Sequence, residues 1–80
     1  MAKLLFIGRL EDVAGAGEYE IRLERPLPVG ALLQRLPIDL VLALDAPKVR
    51  LALNGTLVPR DNLVIADGDE LAFLPPVSGG

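Results

Sequence analysis

The spacing of apolar side chains changes twice along this chain, and these changes constrain its fold more than any other sequence feature. Over residues 18–23, polar and apolar side chains alternate with a period of two, which is typical of a half-buried strand. Over residues 29–36, the apolar spacing is three or four residues, as on one face of a helix. Alternation returns at residues 49–53. The sequence therefore predicts a domain that combines strands with a helix.

Turn signals delimit three further strands. Residues 4–7 form an apolar strand that ends at Gly8. The dipeptide Asn54-Gly55 is the strongest short-range hairpin signal, and it predicts a return strand at residues 56–58. Residues 70–74 form the last predicted strand, which is stopped by two prolines. We expect residues 9–17 to be a connection.

These elements predict an α+β domain over residues 1–74, followed by an extended tail over residues 75–80. Pro37 ends the main helix. Residues 38–44 are predicted to be a second helical turn, although an extended segment would also fit. The predicted fold is a mixed sheet of about five strands, with one main helix packed on one face.

The strand patterns also predict an apolar docking surface. Hydrophobic residues make up 51% of the 80 residues, more than so small a domain can bury. The first and last strands are apolar on both faces, so we expect the face away from the helix to meet a partner. The residues predicted to form the tail and docking surface are Ile7, Leu57, Phe73, Leu74, Pro75, Pro76, Val77 and Ser78.

Composition excludes several classes of function. The net charge of −3 argues against nucleic acid as a partner. The apolar runs are too short for a membrane span or a signal peptide, so we expect a cytoplasmic protein without a membrane partner. Cysteine and histidine are both absent, which excludes disulfides, thiolate or imidazole catalysis and ordinary zinc sites. We predict no bound cofactor and no metal.

Other charged or polar residues have ordinary structural interpretations. Asp67, Asp69 and Glu70 form the densest acidic cluster, and a turn before a strand explains them better than a metal site. The same acids would also suit a basic patch on a partner. Ser78 has no neighbouring base in the sequence, so we interpret it as a small spacer.

The tail ends in Gly79-Gly80, a pair with no side chains to pack and a large entropic cost of ordering. The plain alternative is a frayed end without a function. The more specific interpretation is that the terminal carboxyl of Gly80 is the reactive group and that both glycines let it enter a narrow channel. Pro75 and Pro76 favour an extended exit from the domain.

Three segments resemble the small subunit of molybdopterin synthase, the MoaD family, which has the ubiquitin-like β-grasp fold. They are residues 3–6, residues 53–58 and, most specifically, residues 67–80 with the sequence DGDELAFLPPVSGG. Two departures from the family pattern are Glu11, where we expect a second basic residue after Arg9, and Pro28 at the helix start. These departures concern partner contact and capping, and leave the tail unaffected.

The resemblance implies a sulfur carrier in molybdenum cofactor biosynthesis, which is not an enzyme on its own. An E1-like enzyme of the MoeB type would use ATP to adenylate the carboxylate of Gly80, and sulfur would then replace AMP to give a thiocarboxylate. The MoaE-type large subunit would accept the tail, with Gly79 giving clearance, and would transfer the sulfur to precursor Z. The alternatives are a thiamin-type sulfur carrier and a ubiquitin-like protein modifier.

Overall fold

Ten short elements follow one another in the computed structural model, which describes residues 1–76. The strands are β1 (Ala2–Phe6), β2 (Glu18–Ile21), β3 (Leu27–Pro28), β4 (Arg50–Leu53), β5 (Thr56–Val58), β6 (Val64–Ile65) and β7 (Glu70–Leu74). The helices are α1 (Arg9–Ala14), α2 (Val29–Leu33) and α3 (Ile38–Leu44).

Five strands form the main sheet in the order β2-β1-β7-β4-β5. The β1 and β7 strands pair in parallel, whereas the other neighbours are antiparallel, so the sheet is mixed as predicted. Asn54 and Gly55 form the predicted hairpin turn, with φ values of 50° and 86°. Positive φ at both central residues matches the twist of a two-residue hairpin. This α+β architecture confirms the predicted β-grasp fold.

The core lies on one face of this sheet. Leu4 pairs with Leu71, and Phe6 pairs with Phe73, in the register of the central parallel strands. The rings of Phe6 and Phe73 stack with centroids 5.7 Å apart. All three helices contribute buried leucines to the same cluster, namely Leu10, Leu32, Leu33, Leu40 and Leu44. An aliphatic layer over two stacked phenylalanines therefore holds the domain together.

The helical side differs from the prediction in two respects. The segment predicted as a connection contains α1, which buries Leu10 and ends at Gly15 in the left-handed conformation. Its single buried side chain is too weak a periodic signal to reveal a helix. The main helix is also shorter than predicted: after Leu33 the chain continues in tighter turns, in which the N–H groups of Arg35 and Leu36 bond three residues back. Three helices of similar length thus replace one main helix, while α3 confirms the predicted second helix.

A second, two-stranded sheet joins β3 to β6 and was not predicted. Leu27 pairs with Ile65, and Pro28 pairs with Val64. Because each strand has only two residues, neither has an alternation long enough to recognise. Pro28, expected at the helix start, lies at the N-cap position of α2 and in this small sheet.

Candidate functional site

The tail leaves the domain from the middle of the main sheet. The β7 strand lies between β1 and β4, and it ends at Leu74. One further hydrogen bond continues the ladder, because the N–H of Ile7 donates to the carbonyl oxygen of Phe73 over 3.1 Å. Pro75 and Pro76 follow directly and are both half-buried. The start of the tail is therefore fixed by the central strand and not by a loop.

Gly8 lies beside Pro75 at the start of the tail. Its backbone has φ 58° and ψ −134°, which is a conformation that side chains other than hydrogen strongly disfavour. A Cβ atom at Gly8 would lie 3.2 Å from Cγ of Pro75 and 3.9 Å from its Cδ. The turn after β1 thus needs a glycine for two reasons: its backbone conformation and the ring of Pro75 beside it.

The sheet face opposite the core carries an apolar row, which consists of Leu5, Ala72, Ala52 and Leu57. These residues are neighbours on consecutive strands, since Leu5 pairs with Ala72, Ala72 with Ala52, and Ala52 with Leu57. Leu57 is 61% exposed, and the other three are half-buried. No helix of the described chain contributes to this face, because the buried leucines of all three helices lie in the core.

Charged residues border the apolar row on the side away from the tail. Lys3 pairs with Glu70 on one neighbouring strand and with Glu20 on the other. The Nζ of Lys3 also lies 3.8 Å from Oε2 of Glu18, at the exposed surface. On the tail side, Leu74 pairs with Arg50. The row therefore has the apolar centre and polar rim of a protein contact surface.

The residues predicted for the site separate into four groups, of which the first is Pro75 and Pro76, half-buried at the start of the tail. Leu57, Leu74 and Ile7 belong to the open face or its tail end, and Ile7 is 43% exposed. Phe73 is a correction: its side chain has no exposed area and stacks on Phe6, because its register position points into the core. Val77, Ser78, Gly79 and Gly80 lie outside the described residues.

Sequence reasoning did not assign the rest of the apolar row to the site. Leu5, Ala52 and Ala72 become neighbours only through the pairing of β1, β7 and β4. The alternation within each strand shows that they face away from the core. Only the strand order, which a single sequence does not show, brings them into one row.

The acidic cluster before β7 is a turn, as predicted. The carboxylate of Asp69 accepts hydrogen bonds from Nδ2 of Asn54 (3.0 Å) and from the N–H of Ala66 (2.8 Å). These bonds, with that from Asn54 the stronger influence, hold the pKa of Asp69 below its ordinary value. Oδ1 of Asn54 in turn accepts from the N–H of Glu70 (2.8 Å). Asp69 thus fastens the β4–β5 hairpin to the start of β7.

Two negative observations apply to residues 1–76. Among these residues, no three acidic side chains come together as a metal site would need. Over the same range, no helix is both long and apolar enough to cross a membrane.

Comparisons with known proteins identify the family of this chain. The model of the ThiS family matches residues 4–80. The molybdopterin synthase sulfur carrier subunit of Escherichia coli (strain K12) is 39% identical over 83 residues, and the match spans 100% of both chains.

Two solved structures are similar over nearly their whole length. SAMP1 from Haloferax volcanii has a TM-score of 0.75 and 26% identity, with 99% of this chain and 98% of that chain covered. A chain in the complex of subunits 1 and 2 of molybdopterin-converting factor from Helicobacter pylori 26695 has a TM-score of 0.64 and 26% identity, with coverages of 99% and 97%. Because the family model matches residues 4–80 and the E. coli relative is 39% identical over the full length of both chains, this chain belongs to the ThiS family and, within it, to the molybdopterin synthase sulfur carrier subunits.

Proposed function

We propose that this chain carries sulfur on the carboxyl terminus of Gly80 and donates it within molybdopterin synthase. The observation that carries the proposal is the exit of the tail from the central strand, beside an open apolar face. One surface can then hold a partner while the tail reaches into it. The end-to-end similarity to the sulfur carrier subunit of E. coli supports the same role.

The chemistry requires activation of the terminal carboxyl. A C-terminal carboxyl has a pKa of about 3.5, so at neutral pH it is an anion that resists nucleophiles. Attack of this carboxylate on the α-phosphate of ATP would form an acyl-adenylate and release pyrophosphate. Sulfide from a sulfur donor would then attack the acyl carbon and displace AMP, which leaves a thiocarboxylate at Gly80. ATP is consumed by the activating enzyme in this scheme, and the carrier itself binds no cofactor.

Two partners follow from this chemistry. The large subunit of molybdopterin synthase would cover the apolar row and take up the tail, with Leu74, Ile7 and Leu57 at the contact. The Helicobacter pylori complex of subunits 1 and 2 supports such a pairing. An E1-like adenylating enzyme would recognise the chain before sulfur loading. The activating enzyme uses ATP, and the large subunit acts on a pterin precursor. Because both steps would take place in the cytoplasm, we propose that the carrier is located there.

Loss of Gly80 gives the most direct test of sulfur loading. The full chain is incubated with ATP, an E1-like activating enzyme and a sulfur donor, and its intact mass is measured. We expect the mass to rise by the difference between sulfur and oxygen. A chain that lacks Gly80 should show no such rise while keeping the circular dichroism of the full chain. A truncated chain that gains sulfur normally would overturn the proposal.

A protein modifier is the second candidate function, and the similarity to SAMP1 favours it. The abbreviation SAMP1 denotes small archaeal modifier protein 1. A modifier would join its terminal carboxyl to lysine amines on other proteins after the same adenylation step. Conjugates of higher mass in the incubation above, with no sulfur-loaded chain, would support the modifier over the carrier.

A further inference from the structure

A groove of about 470 Å³ lies away from the start of the tail and is lined by Arg22, Glu24, Arg25 and Arg35. The chain has eight Lys and Arg side chains in total and a net charge of −3. Three of its cationic groups therefore converge on one small surface of an acidic protein. Because Glu24 offsets only one of the three arginines, the lining has a net positive charge that attracts anions.

Folding brings these arginines together from two separate segments. Arg22 and Arg25 lie in the segment after β2, whereas Arg35 follows the end of α2. Nη1 of Arg35 donates to the carbonyl oxygen of Arg22 over 2.9 Å, which joins the two segments. This bond uses one of the five N–H donors of the guanidinium. The other N–H groups of Arg35 are available to a further hydrogen-bond acceptor.

The arginines of the groove differ from Arg60, which has a structural role. Arg60 donates to Oδ1 of Asp45 over 2.6 Å and to the carbonyl oxygen of Leu44 over 2.7 Å, so its charge is offset within the fold. Among the described residues, the ion pairs join Met1 to Asp67, Lys3 to Glu18 and Arg60 to Asp45. Glu24 shares the groove with the arginines but lies beyond ion-pairing distance of them. The lining of the groove therefore keeps a net positive charge, and its arginines form no ion pair within residues 1–76.

The groove and the start of the tail lie at opposite ends of the sheet. Arg22 follows Ile21, which pairs with Ala2 at the start of β1. The tail begins beyond Phe73, which pairs with Phe6 at the end of β1. Four residues of strand separate these levels, which corresponds to about 13 Å. The groove is therefore separate from the start of the tail.

We propose that the groove of Arg22, Arg25 and Arg35 docks a carboxylate-rich segment of a partner protein while the tail is engaged elsewhere. An arginine guanidinium group binds a carboxylate through two parallel hydrogen bonds, so arginine is favoured over lysine at contacts with acidic side chains. All four side chains that line the groove are exposed and charged. The groove therefore differs from the mainly apolar, enclosing pockets that bind small molecules, and it is better suited to a segment of a protein. The proposal does not depend on sulfur loading, because the groove is separate from the start of the tail.

A hexaglutamate peptide is a suitable probe for this surface. The full-length chain is labelled with ¹⁵N and titrated with the peptide at low salt, and the backbone amide signals are followed. We expect saturable shifts centred on residues 22–25 and 35, which weaken as salt screens the charges. The double variant R22E/R25E should bind the peptide about tenfold more weakly, as expected when two exposed charge contacts are reversed.

Two controls keep the result specific. The variant Lys48→Glu changes an exposed cation outside the groove, and it should bind the peptide as the unchanged protein does. Inorganic phosphate replaces the peptide in a parallel titration and should give no saturable shifts. The proposal is wrong if the peptide perturbs cationic residues evenly over the surface, if K48E weakens binding as much as the double variant, or if phosphate binds as tightly as the peptide.

Discussion

Gly8 lies directly against Pro75, so that a Cβ at position 8 would come within 3.2 Å of the proline ring. The first residue of the tail is thereby packed on the turn that follows the first strand. This contact links the fold to the tail, because the turn after β1 sets where the chain leaves β7.

The variant Gly8→Ala should lower the free energy of unfolding by about 1–3 kcal/mol, because alanine adopts this backbone conformation only with strain. The matched control is Gly30→Ala. Gly30 lies in α2 with open space around it and no positive φ, so alanine should raise stability by about 0.5–1 kcal/mol. Urea unfolding of both variants measures the difference. Equal effects of the two substitutions would contradict the account of Gly8.

The variant Leu57→Asp should weaken binding of the large synthase subunit while leaving the fold intact. Leu57 is 61% exposed at one end of the apolar row, so a carboxylate there costs little in the free chain but would be buried in the complex. We expect a loss of about tenfold in affinity, corresponding to roughly 1.4 kcal/mol. Titration calorimetry with the purified large subunit gives this value.

Ile38 provides the comparison for Leu57. It is 68% exposed on α3, which contributes to the core on the other side of the sheet. The variant Ile38→Asp should bind the large subunit with unchanged affinity. If Ile38→Asp weakened binding more than Leu57→Asp, the docking face would lie on the helices and not on the open sheet.

The variant Phe73→Ala should destabilise the domain by about 3–5 kcal/mol, since it leaves a cavity beside Phe6. The variant Leu74→Ala, one residue further along, should cost much less because its side chain lies half-buried on the open face. Thermal unfolding followed by circular dichroism separates the two. A small effect of Phe73→Ala would show that this side chain is not part of the core.

The stability that Asp69 contributes should depend on pH. Its pKa is held below the ordinary value of 3.8 by hydrogen bonds from Asn54 and Ala66. The folded state therefore favours the ionised form, so the contribution is complete above the ordinary pKa and is lost as pH falls through the lowered one. Asp69→Asn should cost about 1 kcal/mol at neutral pH through these bonds, and the cost should shrink under acid conditions. A cost that stays constant from neutral to acid pH would contradict this assignment.

The sequence predicts the strands of this fold better than its helices, for a physical reason. Each strand of the main sheet shows alternation, an apolar run or a hairpin signal, whereas α1 buries only Leu10 and carries little helical pattern. The docking surface was predicted in part. Leu57 and Leu74 lie on the open face as expected, but Phe73 was assigned to the wrong face because the last strand is apolar on both faces. The pairing of Leu5 with Ala72 depends on long-range strand order, which local patterns do not contain.

The central claim is that this chain delivers sulfur from its carboxyl terminus, and a single-turnover reaction tests it most directly. The chain bearing a thiocarboxylate at Gly80 is mixed with the large subunit of molybdopterin synthase and precursor Z, and the intact mass and the pterin product are followed together. Because a dithiolene contains two sulfur atoms and each chain carries one, we expect two chains to return to the mass of the free carboxylate for each dithiolene-containing product that appears. A carrier that keeps its sulfur while product forms, or that loses sulfur without product, would contradict the claim.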